Sequence, residues 1–313
     1  MHLYLKIGLL ILYCYCVMNG NDYRVVEQEH MHDIQSVASI SKIMSAYIAI
    51  EQGNLNDKIT IGNEIHDAYG SMVYLKEGDV VTLRTLLYGL MLRSGNDAAQ
   101  SIAHHISGSQ EAFVALMNEK AKQLGMTHTT FHNPSGLDEE DGGNLSCAYD
   151  MALLMSHAMK NKTFALISGS KYYKNEMGIV WKNKNRLLFE DSLVVAGKTG
   201  FTKKAGRTLV TSAFCDDIST IVVTLNHSDD FNFHHQKHLK AYQNTKLHVL
   251  LKKGIYEIKG KKYHVKEDVV ISYDKNNPLN YQLYSDIDKS WNVEIMIKDQ
   301  RFLYQFEEVF EDE

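Results

Sequence analysis

The chain of 313 residues has little of several things. Two prolines and four cysteines are too few for a Pro-rich linker protein or a disulfide scaffold. There is no basic excess: 33 basic against 38 acidic residues leave a net charge of −5, which disfavours nucleic acid and anionic membranes as default partners. The longest uncharged apolar run, Ile7 to Met18, has twelve residues, against the roughly 20 needed to span a bilayer. What is present is an ordinary globular composition, 44% apolar and 23% charged, in a chain long enough for a substantial core.

The N-terminus is the one unusual stretch. Lys6 precedes the apolar run, the pattern of a secretory signal, although no A-x-A-like cleavage site follows. A buried first strand fits the same residues. Cys14-x-Cys16 has neither the spacing of a redox pair nor the partners of a zinc site, and Cys147 and Cys215 read as small buried side chains.

Helical periodicity covers residues 40–52, closed by Gly53; 83–92, preceded by Thr82 as N-cap; 97–106; 110–124; 148–160; and 234–253. Asn133-Pro134-Ser135-Gly136 is a turn. Ser192–Thr199, Arg207–Phe214 and Ile218–Leu225 are rich in β-formers and separated by short turns, so they read as consecutive antiparallel strands. Helices followed by strands make an α+β order rather than an alternating one. From Gly254 the chain becomes lysine-rich and strand-like, a small β module.

Three short motifs stand in order: Ser39-Ile40-Ser41-Lys42 at a helix start, Ser94-Gly95-Asn96 between two helices, and Lys198-Thr199-Gly200 at a strand end. Each alone is weak, since Ser39 could be an N-cap and Lys42 a solvated lysine. Together they supply a complete chemistry. A serine hydroxyl needs a base, and a lysine three residues on lies on the same helical face. Burial and neighbouring cations lower a lysine pKa until it can accept that proton. Unpaired N–H groups at the start of the helix suit a developing oxyanion. Ser94 can relay a proton, and the Asn96 amide can both donate to and accept from a peptide group. Lys198 adds positive charge, Thr199 offers a hydroxyl to a carboxylate, and a strand edge can pair with an extended substrate.

With these motifs the sequence resembles the penicillin-binding serine enzymes, most of all the low-molecular-weight D-alanyl-D-alanine carboxypeptidases. The likeness runs through SVASISKIMSAYIAIEQG, LLYGLMLRSGNDAAQSIA, FHNPSGLDEEDGGNLSCAYDMALLM and GKTGFTKKAGRTLVTSA, and covers about Tyr15 to Lys253, with Tyr15–Met18 as the first strand. It implies an α+β fold, a β-lactamase/penicillin-binding-protein-like domain of antiparallel sheet, helices and a helical subdomain. The expected division is 1–14 export or membrane-targeting segment, 15–253 catalytic domain and 254–313 small β domain.

The resemblance also implies roles. Ser39 is the acylated nucleophile, Lys42 its base and Ser94 the proton relay. Asn96, Lys198, Thr199, Gly200 and Phe201 bind substrate, with the backbone N–H groups of Ser39 and Phe201 as oxyanion hole. The implied partners are a peptidoglycan stem peptide ending in D-Ala-D-Ala, β-lactams as covalent inhibitors and, loosely, the membrane. The implied place is the extracytoplasmic bacterial envelope, and no cofactor or metal is expected. A β-lactamase, a DD-endopeptidase and a catalytically silent binding protein are the alternatives.

Two departures matter. Some family members carry a carboxylate-binding arginine after the strand hairpin, where residues 227–238 here read HSDDFNFHHQKH. Carboxylate recognition then falls to Thr199, Lys198 or a histidine. Glu140 and Asn144 also share an E-x-x-x-N spacing with class A β-lactamases, read here as coincidence. His104, His105, His234, His235 and His238 are read as solvated or core residues, since no carboxylate or cysteine cluster accompanies them at zinc-ligand spacing.

Overall fold

The structure is a computed structural model that describes residues 13–138, 143–258, 260–276, 279, 282–287, 291–297 and 300–308. The expected export segment, apart from its last two residues, lies outside these, as does Glu140. None of the described helices is long and apolar enough to cross a membrane.

A five-stranded sheet forms the centre. Its strands are β1 (Cys14–Asn19), β2 (Val25–Glu29), β3 (Val194–Thr202), β4 (Gly206–Cys215) and β5 (Ile218–Leu225), in the spatial order β2-β1-β5-β4-β3. Every pair is antiparallel. The N-terminal apolar residues thus serve as a strand: Cys14 stands opposite Leu225 and Met18 opposite Ile221, and all six residues of β1 are buried. β3 closes one side of the sheet, which leaves an edge beside the helices.

The helices are α1 (Lys42–Gln52), α2 (Leu83–Tyr88), α3 (Asn96–Ser107), α4 (Gln110–Gln123), α5 (Ala148–Met159), α6 (Lys162–Gly169) and α7 (Asp230–Asn244). The main core joins Met18, Val210, Ile221 and Val223 of the sheet to Ile43, Met44 and Ile48 of α1 and Met151 and Met155 of α5. α7 covers the other face, where Ala241 and Phe233 meet Tyr15, Val17 and Val222. α1 is apolar on nearly all sides because other elements surround it.

Two expectations are corrected. The helix expected over 234–253 ends at Asn244, and Thr245–Leu251 is strand β6. Its β-branched and aliphatic residues pair with a later strand, so tertiary pairing overrides a weak helical periodicity. The helix expected over 83–92 is α-helical only to Tyr88 and then widens into a π turn over Gly89–Arg93. Gly53 closes α1 as expected, with its N–H on the Ala49 carbonyl and an extended backbone. Its small size is what the site requires, since a β-carbon there would lie 2.4 Å from Leu83 Cδ2.

Beyond β6, the strands β7 (Gly254–Ile258), β8 (Lys261–Val265), β9 (Val269–Asp274), β10 (Gln282–Ile287), β11 (Trp291–Ile297) and β12 (Gln300–Phe306) pair as β6-β9, β7-β8 and β10-β11-β12. Tyr263, Val265, Ile271, Trp291 and Val293 give them a core of their own. Asp22, in the β1–β2 turn, accepts from the Ser272 hydroxyl at 3.1 Å and ties β9 to the central sheet.

Candidate active site

Ser39 sits in a single 3₁₀ turn, Ala38–Ser41, that leads into α1. Val37, not Ser39, occupies the N-cap position, and no side chain caps the turn. The Ser39 hydroxyl is therefore free of the capping role that a lone S-x-x-K would suggest. Ala38 holds a positive φ of 51°, which turns the chain sharply into the helix. The carbonyl of Ala38 is packed against Gly136, where a β-carbon would lie 2.0 Å away and φ is +78°. The Asn133–Gly136 turn is thus locked onto the turn that carries Ser39. Asn133 Oδ1 organises it by accepting from the Ser135 and Gly136 backbone N–H groups and the Ser135 hydroxyl.

Lys42 opens α1 and is fully buried. Its Nζ lies 3.0 Å from Ser39 Oγ and 2.7 Å from Asn96 Oδ1, and it also donates to the Ser135 carbonyl. Burial, then the charges of Lys198 and Lys184, holds this amine well below the ordinary lysine range. A neutral amine has two N–H groups and one lone pair. With the N–H groups on Ser135 O and Asn96 Oδ1, the lone pair remains for the Ser39 hydroxyl proton.

Ser94 and Asn96 are placed by the π turn. The Ser94 N–H bonds to the Gly89 carbonyl, and Ser94 itself is left-handed, at φ 63°. Such a conformation costs about 1–3 kcal/mol in a non-glycine residue and persists where the surroundings hold it. Asn96 follows as the first residue of α3, with its amide donating to the Tyr69 carbonyl and its backbone N–H to Ser71 O at 2.7 Å. Buried Asp97 accepts from the backbone N–H groups of Val73 and Leu75 and pins the 69–75 segment across the motif.

Lys198 reaches the same place from β3. It is buried, and its Nζ donates to Ser94 Oγ at 3.1 Å and to Thr199 O at 2.7 Å. Burial and the nearby Lys184 charge bring its pKa down to about 7. Gly200 lets β3 approach Ser39, and the exposed Phe201 follows it on the open edge. Lys42 thus joins Ser39 and Asn96, Lys198 reaches Ser94, and Gly200 lies against Ser39, which brings two lysine–serine pairs together, with Thr199 and Phe201 on either side of Gly200 in β3.

Other expectations separate from this site. His234 and His238 are buried on α7 in a chain of hydroxyl contacts, Thr220–His238–Thr211–His234–Thr224, at 2.6–3.0 Å. They are core residues and are committed there. His235 is paired with Asp191 at 2.8 Å and His105 with Asp57 at 3.3 Å. Asn144 is a loop strut that accepts from the N–H groups of His132 and Asn133. Sequence reasoning missed Lys184, whose Nζ donates to Ser71 Oγ at 3.1 Å, because nothing local marks its charge as felt by two buried amines. It also missed Arg207, which stands opposite Phe201 on β4 with its guanidinium 2.6 Å from Asp230.

Two lysine–serine pairs beside a sheet edge are the groups that serine acyl transfer needs. Residues 13–229 match the D-alanyl-D-alanine carboxypeptidase family, Peptidase_S11, and the chain belongs to that family. It is 34% identical over 214 residues to D-alanyl-D-alanine carboxypeptidase DacF of Bacillus subtilis, covering 66% of this chain and 54% of that protein. It is 38% identical over 210 residues to DacC of Escherichia coli, covering 62% of this chain and 51% of that protein. The chain spans about half the length of these curated relatives. Among solved structures, a D-alanyl-D-alanine carboxypeptidase from Mycobacterium tuberculosis superposes with a TM-score of 0.68 at 29% identity, over 74% of this chain and 89% of that one. Penicillin-binding protein 5 from Haemophilus influenzae superposes with a TM-score of 0.78, over 94% of this chain and 95% of that one. At 24% identity this last likeness establishes the fold, the penicillin-binding, β-lactamase-like α+β architecture.

Proposed function

We propose that the protein is a serine-type D-Ala-D-Ala carboxypeptidase that removes the terminal D-alanine from peptidoglycan stem peptides. The observation that carries this reading is the buried Lys42 amine 3.0 Å from Ser39 Oγ, with its other contacts satisfied by Asn96 and the Ser135 carbonyl.

Ser39 Oγ attacks the carbonyl carbon of the scissile peptide bond as its proton passes to Lys42 Nζ. The tetrahedral oxyanion lies between the backbone N–H groups of Ser39 and Phe201. The C–N bond breaks when the leaving nitrogen takes a proton through Ser94, and D-alanine departs. Water then attacks the ester and restores Ser39. Thr199 and Lys198 hold the substrate carboxylate, Asn96 holds the peptide amide, and β3 pairs with the extended chain. β-Lactams acylate Ser39 by the same first step. The substrate lies outside the cytoplasm, so residues 1–14 act in export, and the protein works in the cell envelope, secreted or loosely membrane-associated. The division into a catalytic domain, 15–253, and a small β domain, 254–313, belongs to the same reading.

Incubation with a D-Ala-D-Ala-terminated peptide tests the reading: wild type releases free D-alanine and Ser39→Ala does not. Equal release by both proteins sinks it. A persistent penicillin adduct on Ser39 supports a carboxypeptidase, whereas rapid turnover of penicillin supports a β-lactamase.

A further inference from the structure

Away from the candidate active site, the fold brings together three side chains that sequence keeps far apart. His32 lies in the loop after β2, His128 in the loop after α4, and Cys147 at the N-cap of α5. One ring nitrogen of each histidine and the Cys147 sulfur all lie within 4.8 Å of one another. We infer that His32, His128 and Cys147 form a binding site for a divalent transition-metal ion of the zinc class.

The chemistry of the donors fits. Imidazole and thiolate are the preferred ligands of zinc, and three protein ligands with one open position make a common tetrahedral set. Bonds of 2.0–2.3 Å place such ligand atoms about 3.3–3.6 Å apart, so the cluster must contract by roughly 1 Å. The ring of His32 is exposed and can turn to supply that movement, while Cys147 is fully buried and His128 is half-buried. His32 also lines a cleft of about 1680 Å³, so the His32 side of the cluster is open to water.

The surroundings fit as well. Thr127 Oγ1 lies 3.1 Å from His128 Nδ1, which fixes the ring and leaves Nε2 for a ligand bond. The ring of His32 packs against those of His128 and Tyr149, each at 5.1 Å between centroids. The Asp150 N–H donates to Cys147 Sγ at 3.4 Å, a contact that favours the thiolate. Asp150 is itself fully buried, and its Oδ1 has no hydrogen-bond partner. Its negative charge acts at Cys147, so the site combines a buried sulfur with an incompletely satisfied carboxylate. A cation compensates both. Capture of the ion breaks the S–H bond of Cys147, forms a metal–sulfur bond and releases the proton to solvent.

The test uses the full chain, stripped with chelator and titrated with zinc chloride and, separately, with cobalt chloride. The expected result is one equivalent of zinc, and with cobalt a thiolate-to-metal charge-transfer absorption. Loss of a partner behind a ligand costs about 10–100-fold in affinity, so loss of a ligand should weaken zinc by at least about 100-fold. Cys147→Ser retains a capping oxygen and should lose the charge-transfer band. His32→Ala changes an exposed loop residue, so it keeps the test informative if the cysteine variant does not fold. Penicillin acylation of the metal-free protein should be the same in His32→Ala and wild type. No charge-transfer band in the wild type overturns the site, as does zinc binding by His32→Ala at wild-type affinity. Neither readout depends on the enzyme's substrate.

Discussion

A β-carbon placed on Gly200 would stand 3.0 Å from the amide nitrogen of Ser39 and 2.4 Å from Thr208 Oγ1. The strand that carries the K-T-G motif can therefore lie against the nucleophile's turn only without a side chain at this position. Gly200→Ala should push β3 away from Ser39 and spoil the oxyanion geometry. Losing one oxyanion donor typically costs ~10²–10³ in rate, so acylation by a labelled penicillin should fall about 100-fold. Adding Thr208→Ala removes the closest of these contacts, at 2.4 Å, and should recover part of that loss. A single variant with wild-type acylation would show that the strand relaxes freely.

The rate of acylation should rise with pH as Lys42 loses its proton, with a midpoint below the ordinary lysine value of 10.5. Two cationic neighbours contribute to that depression, and Lys184 is the one that makes no hydrogen bond to a catalytic group. Lys184→Met should move the rising limb of the pH–rate profile to higher pH, because removing positive charge makes Lys42 easier to protonate. The profile of second-order acylation rates measures this, and an unmoved limb would rule out the coupling.

Lys198 carries a stability cost with a defined pH dependence. Its pKa is about 7 in the folded protein, against 10.5 for an ordinary lysine. Between those values the unfolded chain holds a proton that the folded chain has released. Stability should therefore decline as pH drops from 10.5 toward 7, with the full penalty present below that. Lys198→Met should raise Tm near neutral and acidic pH and give a smaller gain at high pH. The gross effect is roughly 3–5 kcal/mol, reduced by loss of the Ser94 and Thr199 hydrogen bonds. The same variant should lose activity, and thermal melts across pH separate the two effects.

His234 and His238 should make the fold acid-sensitive. Burial holds both neutral, His238 with a pKa of about 3 against 6.5 for an exposed histidine. The unfolded chain takes up these protons first, so stability declines as pH falls from 6.5 toward 3. Thr211→Val leaves both rings without their shared hydroxyl and should cost about 2–3 kcal/mol near pH 7. Denaturant melts at several pH values measure both effects.

Arg207 stands opposite Phe201, and Leu209 opposite Thr199, so Arg207 and Thr199 share one face of the sheet as diagonal neighbours. A guanidinium is thus available beside the K-T-G strand although residues 227–238 contain none. Arg207→Ala should lower kcat/KM for a carboxylate-ended peptide about 10-fold or more, the loss expected of one charged hydrogen bond. A peptide with a C-terminal amide should be much less affected. Equal losses on both peptides would assign Arg207 a purely structural role with Asp230.

Much of the site was legible in the sequence because its parts are local. S-x-x-K places a base one helical turn from a serine hydroxyl, and S-x-N sits at an element boundary visible from turn residues, whereas K-T-G, expected at a strand end, lies inside β3, which pairs on to Thr202. The rest was not legible because it depends on contacts between distant segments. The carbonyl of Ser135 as a partner for Lys42, the charge of Lys184 and the fit of Gly136 against Ala38 are all tertiary. So is the grouping of His32, His128 and Cys147. The histidines that drew attention by clustering in sequence, His234 and His238, proved to be core residues held by threonines.

Sequence by itself determined most of the element types and the order of the three motifs, because hydrophobic periodicity and short-range spacing are properties of neighbouring residues, while the first strand stayed open between strand and export signal until the family resemblance was added. It could not decide where α7 gives way to β6, since strand formation there depends on pairing with β9. Nor could it decide that two lysines would be buried beside two serines. That is set by close packing of α1, the π turn and the edge strand, which excludes water and so fixes which groups can hold or release a proton.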